Sequence, residues 1–364
     1  MKKTNISALL LAALLLIQLL CAPVSAVTAE PAADAQADAQ TASDNSAGDA
    51  AAEADSVPED QLLSSREQFS VAAKAALLID LNTNRVVYEQ DADERVYPAS
   101  LTKIMTCLIA LENGNLSDVV TVSESALADL DEDSSVAGLV VGEQMTLENL
   151  LYCMMVVSGN DACNVIAEHV AGSVTDFVRM MNQRAYELGC TNTHFNNPHG
   201  LHDESHYTTA RDLAIITQAA LKSENFRQIV DTYEYKLPDD NMRQNIPKLK
   251  TTNMLIYQSM SNSLYYPRAH GIKTGYTSQA GRCVISEATG DGLDLLGIVC
   301  GAATTVLDSG DLLMENFTEC ARLFDYGFDN YSYLTLMSPL YPVDQVKINN
   351  SAGAEAVAVA PEDE

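Results

Sequence analysis

The spacing of apolar residues along the chain predicts most of its helices and strands. Between residues 101 and 111, apolar side chains recur three or four positions apart, which is the spacing of one buried helical face. Pro98 stops the segment before this helix, and Asn113-Gly114 supplies its end. The first turn carries Ser100 and Lys103, which three-residue spacing places on one face. A hydroxyl beside an amine is the geometry that a nucleophile and its base require.

The same patterns predict the rest of the fold. Apolar runs bounded by turn residues predict strands over 73–80, 85–89, 119–122, 271–276, 282–288 and 293–300. Helical spacing predicts helices over 146–157, 162–170, 175–188, 209–221 and 314–326, with Asp161 as the cap of the second and 123–140 as a loop. Strands at both ends and helices between them indicate an α/β protein of the α+β type. We expect one antiparallel sheet, closed by the two ends of the folded region, with helices on its faces.

Charge excludes two classes of partner. The chain has 364 residues, 47% hydrophobic content and a formal net charge of −29. Such a chain has no basic surface with which to neutralise phosphates, so we expect no nucleic acid partner and no attraction to anionic lipid.

Both ends of the chain differ in composition from its middle. Residues 1–26 have a basic start, an apolar run and small residues near a cleavage site, which indicates a signal peptide and export; a lasting membrane anchor is the alternative. Residues 27–68 are rich in Ala, Asp and Glu, typical of a disordered acidic linker. We therefore assign the folded domain to 69–330 and a tail to 331–364. No basic amphipathic helix follows, so we expect no strong membrane anchor after signal removal.

Eight cysteines in an exported chain would ordinarily suggest disulfides. Cys21 would leave with the signal peptide, and an odd number would remain. Most of the others lie within apolar periodic runs, so we interpret them as small buried side chains. No Cys-x-x-Cys pair is present to indicate a zinc site of cysteines.

Three short motifs follow one another along the chain. They are Ser100-Leu-Thr-Lys103, Ser158-Gly-Asn160 and Lys273-Thr-Gly275. Each is weak alone, but this ordered set is the signature of penicillin-binding proteins and serine β-lactamases. Their predicted settings, a helix start, an inter-helix loop and a strand, fit that signature.

The chain resembles the D-alanyl-D-alanine carboxypeptidases, the low-molecular-weight penicillin-binding proteins. Beyond the three motifs, the resemblance is carried by Tyr97-Pro-Ala-Ser-Leu-Thr-Lys-Ile-Met-Thr106, Asn197-Pro-His-Gly-Leu201, Tyr207-Thr-Thr-Ala-Arg-Asp212 and Gly271-Ile-Lys-Thr-Gly-Tyr-Thr277. It covers about 70 to 330 and implies a β-lactamase/transpeptidase-like fold with a helical subdomain. It also implies a serine hydrolase of the cell wall that needs no cofactor, acts on peptidoglycan stem peptides and is acylated by β-lactams.

The resemblance and the chemistry of the residues together suggest roles for the catalytic set. Ser100 would attack the carbonyl between two D-alanines, and Lys103 would take its proton. Burial or the charge of Lys273 must lower the pKa of Lys103 for this purpose. Ser158 would relay a proton to the leaving amine, and Asn160 would hydrogen-bond Lys103 and the substrate amide.

Substrate binding would fall to the third motif. Gly275 lets the substrate backbone approach an edge strand, and Lys273 and Thr274 would hold the terminal carboxylate. The resemblance places the oxyanion hole at the backbone N–H groups of Ser100 and Tyr276. The chain has no Lys or Arg between Arg282 and Arg322, where many relatives carry a carboxylate-binding arginine. We therefore predict that Lys273, Thr274 and Arg282 bind the carboxylate.

Four alternatives remain open at this point. His194, His199, His202 and His206 lie in one loop and could suggest a zinc site, although its Gly, Pro and Asn argue against metal. A β-lactamase shares the motifs, but 161–272 lacks the Glu-x-x-Leu-Asn element of class A enzymes. A wall-binding relative without activity would not need all three motifs. The tail is either the end of a released single-domain form or the start of a β-rich domain absent from this sequence.

Overall fold

The computed structural model describes residues 69–333 except 129, 131–133, 260–261, 308–309 and 311, together with the backbone of two later strands. The expected signal peptide and the whole of the linker lie outside the described residues, as does most of the tail. Those parts of the domain assignment therefore stay predictions.

The described elements follow in chain order. The strands are β1 (Ala75–Asp80), β2 (Arg85–Gln90), β3 (Val119–Thr121), β4 (Gln144–Thr146), β5 (Glu234–Tyr235), β6 (Leu249–Lys250), β7 (Ala269–Thr277), β8 (Gly281–Gly290), β9 (Leu293–Ala302), β10 (Thr304–Val306), β11 (Leu312–Met314), β12 (Pro342–Lys347) and β13 (Glu355–Val359). A 3₁₀ turn, Ala99–Thr102, leads into the helices α1 (Lys103–Asn113), α2 (Glu124–Ala128), α3 (Leu147–Val156), α4 (Asn160–Ala171), α5 (Val174–Glu187), α6 (Ala210–Leu221), α7 (Glu224–Val230) and α8 (Glu315–Asn330).

The central sheet confirms the predicted architecture. Within the described part of the chain it has five strands in the order β2-β1-β9-β8-β7, and neighbouring strands are antiparallel. The first strands of the domain thus pair with the last ones. Asp291 and Gly292 turn the β8–β9 hairpin with φ angles of 54° and 82°, a left-handed pair that suits a tight hairpin. β7, which carries the third motif, is an edge strand of this sheet.

Apolar residues cover both faces of the sheet. On one face β1, β8 and β9 pack against α1, α3, α4, α6 and the helices around them, in a core that includes Leu77, Ile104, Met154 and Ile298. On the other face α8 packs through Phe317, Leu323 and Phe324. Buried apolar area on this scale is the main stabilising contribution to the domain. It holds the three motif segments in place.

Two local predictions were wrong, and one helix was missed. The stretch 123–140 was expected to be a loop but contains α2. The missed helix is the seven-residue α7, for which the sequence analysis predicted no element. Asp161 does not cap α4, because the helix begins one residue earlier and Gly159 occupies the cap position. Instead the buried Asp161 carboxylate accepts hydrogen bonds from the backbone N–H groups of Ala137 and Leu139, at 2.9 and 3.0 Å. It fastens the 134–140 segment to the start of α4.

Two further findings concern the cysteines and the possibility of a membrane-spanning helix. Cys107, Cys153, Cys163, Cys190, Cys283, Cys300 and Cys320 are all buried and free. Their prediction as small buried side chains is therefore confirmed, while Cys21 lies outside the described residues. Among the helices that the structure describes, none is both long enough and apolar enough to cross a bilayer.

Candidate active site

The turn that carries Ser100 packs closely against the backbones of two glycines. Ala99 has a φ of +48°, unusual for a residue with a side chain. A β-carbon at Gly200 would stand 1.8 Å from the Ala99 carbonyl oxygen, and one at Gly275 would stand 3.1 Å from the Ser100 nitrogen. The turn therefore keeps its position because both neighbouring backbones lack side chains.

Lys103 lies beneath this turn and contacts three oxygen atoms. Its Nζ is 2.8 Å from Ser100 Oγ, 2.7 Å from Asn160 Oδ1 and 2.7 Å from the His199 carbonyl oxygen. The side chain is fully buried. Burial lowers the pKa of Lys103 to about 8, since a charged amine loses solvation there. Burial, one of the two causes expected from the sequence, is therefore the main cause of the lowered pKa.

These contacts suit a neutral amine acting as a base. Carbonyl and amide oxygens can only accept hydrogen bonds. Asn160 Oδ1 and the His199 carbonyl therefore take two N–H groups of Lys103. In the neutral amine the lone pair then faces the third neighbour, the Ser100 hydroxyl, and can accept its proton.

The second motif forms the turn between α3 and α4. Ser158 has a φ of +63°, and Asn160 starts α4 with its backbone N–H donating to the Ser135 carbonyl at 2.8 Å. Both side chains are buried. Ser158 and Asn160 line the same cavity as Ser100. The setting predicted for this motif, a loop between two helices, is the one observed.

The third motif forms the facing wall. Lys273 on β7 is 1% exposed, and its Nζ donates to the Thr274 carbonyl at 3.1 Å. Burial, and then the charge of Lys103, lowers the pKa of Lys273 well below its ordinary value. The Thr274 hydroxyl lies 2.6 Å from that of Thr252.

One cavity of about 340 Å³ joins these walls. Its lining includes members of all three motifs, Ser100, Ser158, Asn160, Thr274 and Gly275, followed by Tyr276 and Arg282. The Arg282 guanidinium carbon lies 4.4 Å from the centre of the Tyr276 ring, and Nε donates to the Thr304 hydroxyl at 2.9 Å. Every residue proposed from the sequence thus lines this cavity or, as with Lys103 and Lys273, is buried in hydrogen-bond contact with a residue that does.

Sequence reasoning missed three contributors. The His199 carbonyl is an acceptor for Lys103, the Ser135 carbonyl fixes Asn160, and Thr252 contacts Thr274. The segment Asn197–Leu201 was noted only as a resemblance, without a role. Every residue has a backbone carbonyl, so the residue type at position 199 does not indicate this contact. Only the family pattern singled out the segment that contains His199.

The histidine loop serves a structural purpose here. His206 is 2% exposed; its Nδ1 accepts from the Asn196 N–H at 3.2 Å, so its Nε2 donates to the Thr102 hydroxyl at 2.9 Å. His199 Nδ1 accepts from the Leu201 N–H at 3.2 Å. Across the residues with described positions, no group of three or more His, Cys, Asp or Glu could hold a metal ion.

Comparison with known proteins connects this geometry to a family. Residues 62–304 match the family model described as D-alanyl-D-alanine carboxypeptidase. The chain is 37% identical over 284 residues to D-alanyl-D-alanine carboxypeptidase DacF of Bacillus subtilis, covering 76% of this chain and 67% of that one. It is 35% identical over 268 residues to DacA of Haemophilus influenzae, covering 72% and 63%. The chain thus spans about two thirds of the length of these relatives.

Solved structures show the same fold. The crystal structure of the Streptomyces K15 DD-transpeptidase matches with a TM-score of 0.63 and 29% identity, over 72% of this chain and 98% of that one. PBP3 of Streptococcus pneumoniae, described as a peptidoglycan synthesis regulatory factor, matches with a TM-score of 0.67 and 26% identity, over 81% and 85%. With the family model spanning the Ser100, Ser158 and Lys273 motifs, the chain belongs to the D-alanyl-D-alanine carboxypeptidase family.

Proposed function

We propose that this protein is a serine-type D-Ala-D-Ala carboxypeptidase that removes the terminal D-alanine from peptidoglycan stem pentapeptides. The observation that carries the proposal is the position of Lys103, whose amine is 2.8 Å from the Ser100 hydroxyl while two carbonyl oxygens accept its N–H groups. Family membership supports the same activity.

The first half-reaction forms an acyl-enzyme. The Ser100 hydroxyl gives its proton to Lys103, and Oγ bonds to the carbonyl carbon between the two D-alanines. The backbone N–H groups of Ser100 and Tyr276 stabilise the negative oxygen that develops. When the C–N bond breaks, the proton held by Lys103 passes through Ser158 to the leaving amine, so that Lys103 is neutral again and free D-alanine departs.

The second half-reaction restores the enzyme. A water molecule gives one proton to the Lys103 amine and bonds to the ester carbon. The bond to Ser100 Oγ then breaks, and Oγ recovers the proton. The products are a shortened stem peptide and free enzyme, so atoms and charge balance without a cofactor.

The third motif holds the substrate in this scheme. Thr274 donates to the terminal carboxylate, and Gly275 leaves room for the substrate backbone. Lys273 is buried with a lowered pKa, and an arriving carboxylate raises that pKa and favours its charged form. Arg282, which lines the same cavity, adds a second positive group. Asn160 binds the substrate amide.

The proposed setting is the cell envelope outside the cytoplasm. The apolar start of the chain indicates export, and the substrate is wall peptide. The activity would contribute to cell-wall biogenesis and cell shape, with β-lactams as acylating inhibitors because they mimic the D-Ala-D-Ala peptide bond.

The test is release of D-alanine from a synthetic stem pentapeptide, measured by mass spectrometry. We expect D-alanine and the tetrapeptide in equal amounts from the wild type, and neither from Ser100→Ala. EDTA should leave the rate unchanged, whereas loss of activity on chelation would favour a zinc peptidase. A protein that releases no D-alanine and is not labelled by fluorescent penicillin would instead be a wall-binding relative.

A further inference from the structure

Thr252 connects the two walls of the cavity, although it belongs to none of the three motifs. Its backbone N–H donates to the Val156 carbonyl at 3.2 Å, at the end of α3 and two residues before Ser158. Its hydroxyl lies 2.6 Å from the Thr274 hydroxyl on β7. One residue therefore contacts both the helix that leads to the second motif and the strand of the third.

The neighbouring residue makes this connection rigid. Asn253 is 2% exposed, and its side-chain amide donates to the Gly271 carbonyl on β7 while Oδ1 accepts from the Leu255 N–H at 3.0 Å. Thr251 N–H donates to the Tyr233 carbonyl at 2.8 Å. The Thr252 hydroxyl is thus held at a fixed place along β7.

Two hydroxyls at this distance have one proton fewer to offer than two separate ones. Each threonine hydroxyl has a single proton, and the hydrogen bond between them uses one. The pair therefore presents one free O–H to the cavity, which both residues line. A hydroxyl that accepts one hydrogen bond is also a stronger donor in the next.

We infer that Thr252 is a positioning residue for recognition of the ligand carboxylate, with its hydroxyl donating to Thr274 so that the Thr274 proton is aimed at the carboxylate. This inference rests on the proposed function, in which Thr274 binds that group. The direction Thr252 to Thr274 to carboxylate follows from placement, because Thr274 adjoins Gly275, which lies directly against Ser100. Thr252 therefore determines preference for ligands that end in a carboxylate.

The test compares acylation of Ser100 by benzylpenicillin and by its methyl ester, which lacks the negative charge. Thr252→Val keeps the shape and removes the hydroxyl. We expect it to slow acylation by the acid about five- to tenfold, the size of a lost neutral hydrogen bond, and acylation by the ester less than about twofold. Thr252→Ser should restore the wild-type ratio of the two rates. Thr252→Ala provides a second removal of the hydroxyl if valine disturbs folding.

Two further variants complete the design. Because the two hydroxyls act as one unit, Thr252→Val combined with Thr274→Val should be no slower than Thr274→Val alone. Thr289→Val, the same chemical change at the far, exposed end of β8, is the control and should leave both rates unchanged.

Three results would overturn the inference while the wild type still reacts. The first is equal slowing of acylation by the acid and by the ester, which would mean that Thr252 only fills space. The second is no slowing of acylation by either compound. The third is a double variant whose rate falls by the product of the two single-variant factors. A wild type that forms no Ser100 adduct with either compound would overturn the proposed function as well.

Discussion

Asn160 Oδ1 accepts a 2.7 Å hydrogen bond from Lys103 Nζ, although the two residues belong to different helices. The bond fixes one N–H of the amine and therefore the direction of its lone pair. Since Ser100 Oγ is 2.8 Å away from the same nitrogen, the protonation state of Lys103 decides whether the hydroxyl is activated. The rate of acylation should therefore depend on pH.

Acylation should become faster as pH rises through the pKa of Lys103. Burial lowers this pKa to about 8, so near neutrality only about a tenth of the amine is free to accept a proton. Stopped-flow measurement with a fluorescent penicillin should show a rate that rises about tenfold per pH unit below 8 and levels off above it.

Asn160→Asp tests whether the titration of Lys103 causes this rise in rate, which is the acid limb of the pH–rate profile. A carboxylate next to the amine favours the charged form, so the limb should move upward by at least about one pH unit. Asn330→Asp, at the end of α8, adds the same charge away from the site and should leave the limb in place. A wild-type rate that does not change between pH 6 and 9 would contradict this assignment.

Arg282→Ala should raise the Michaelis constant for the pentapeptide about tenfold, the size of a lost hydrogen bond to a charged group, with little change in kcat. Arg268→Ala is the matched control, because Arg268 also stacks on an aromatic ring, that of Phe328 at 4.5 Å, but does not line the cavity. An unchanged Michaelis constant in Arg282→Ala would mean that Lys273 and Thr274 bind the carboxylate without it.

Gly200→Ala should displace the Ser100 turn. The new methyl group would stand 1.8 Å from the Ala99 carbonyl oxygen, so we expect penicillin acylation to fall by about a hundredfold or more, as misplaced catalytic groups do. Gly189→Ala is the control. Gly189 has a φ of +84°, close to the +90° of Gly200, but no atom lies within 4 Å of the position that its β-carbon would take. The variant therefore carries only backbone strain of about 1–2 kcal/mol. Equal rates in the two variants would refute the close-contact explanation.

His206 should make the domain less stable in mild acid. Burial lowers the pKa of His206 to about 4, whereas the unfolded chain takes up this proton near pH 6.5. Between these values the unfolded state binds more protons at this residue, so His206 contributes a loss of stability of roughly 3 kcal/mol as pH drops from about 6.5 to 4. His199, whose pKa burial lowers to about 3, adds a loss of its own over the same range.

His206→Gln should make this part of the stability curve less steep, with the slope due to His199 remaining, while leaving an N–H donor for Thr102. Urea unfolding between pH 4 and 7 measures the slope, and His202→Gln, at an exposed position of the same loop, is the control. The same slope in His206→Gln and wild type would show that another group is responsible.

The residues proposed from the sequence as catalytic come together in the structure, and the proposed chemistry needs a specific side chain at each of these positions. Ser100, Lys103, Asn160 and Lys273 could each be recognised by residue type and spacing, and the sheet followed from apolar runs that are buried on both sides. Spacing along the sequence does not predict which distant segments lie close together in the fold. Only the family resemblance predicted that residue 273 lies near residue 100.

The parts that were missed depend on backbone groups or on tertiary partners. The His199 carbonyl contacts Lys103 as any residue's carbonyl could. Asp161 has the residue type and position of a cap, yet its carboxylate binds N–H groups of Ala137 and Leu139, more than twenty residues earlier in the chain. Local preference for a cap was overridden by this contact.

Mass spectrometry of the protein after exposure to penicillin G shows whether Ser100 is the nucleophile. We predict one covalent penicilloyl group, located on Ser100 by peptide mapping, absent from Ser100→Ala and lost only slowly. No adduct on Ser100, or an adduct that is hydrolysed as rapidly as in a β-lactamase, would contradict the account.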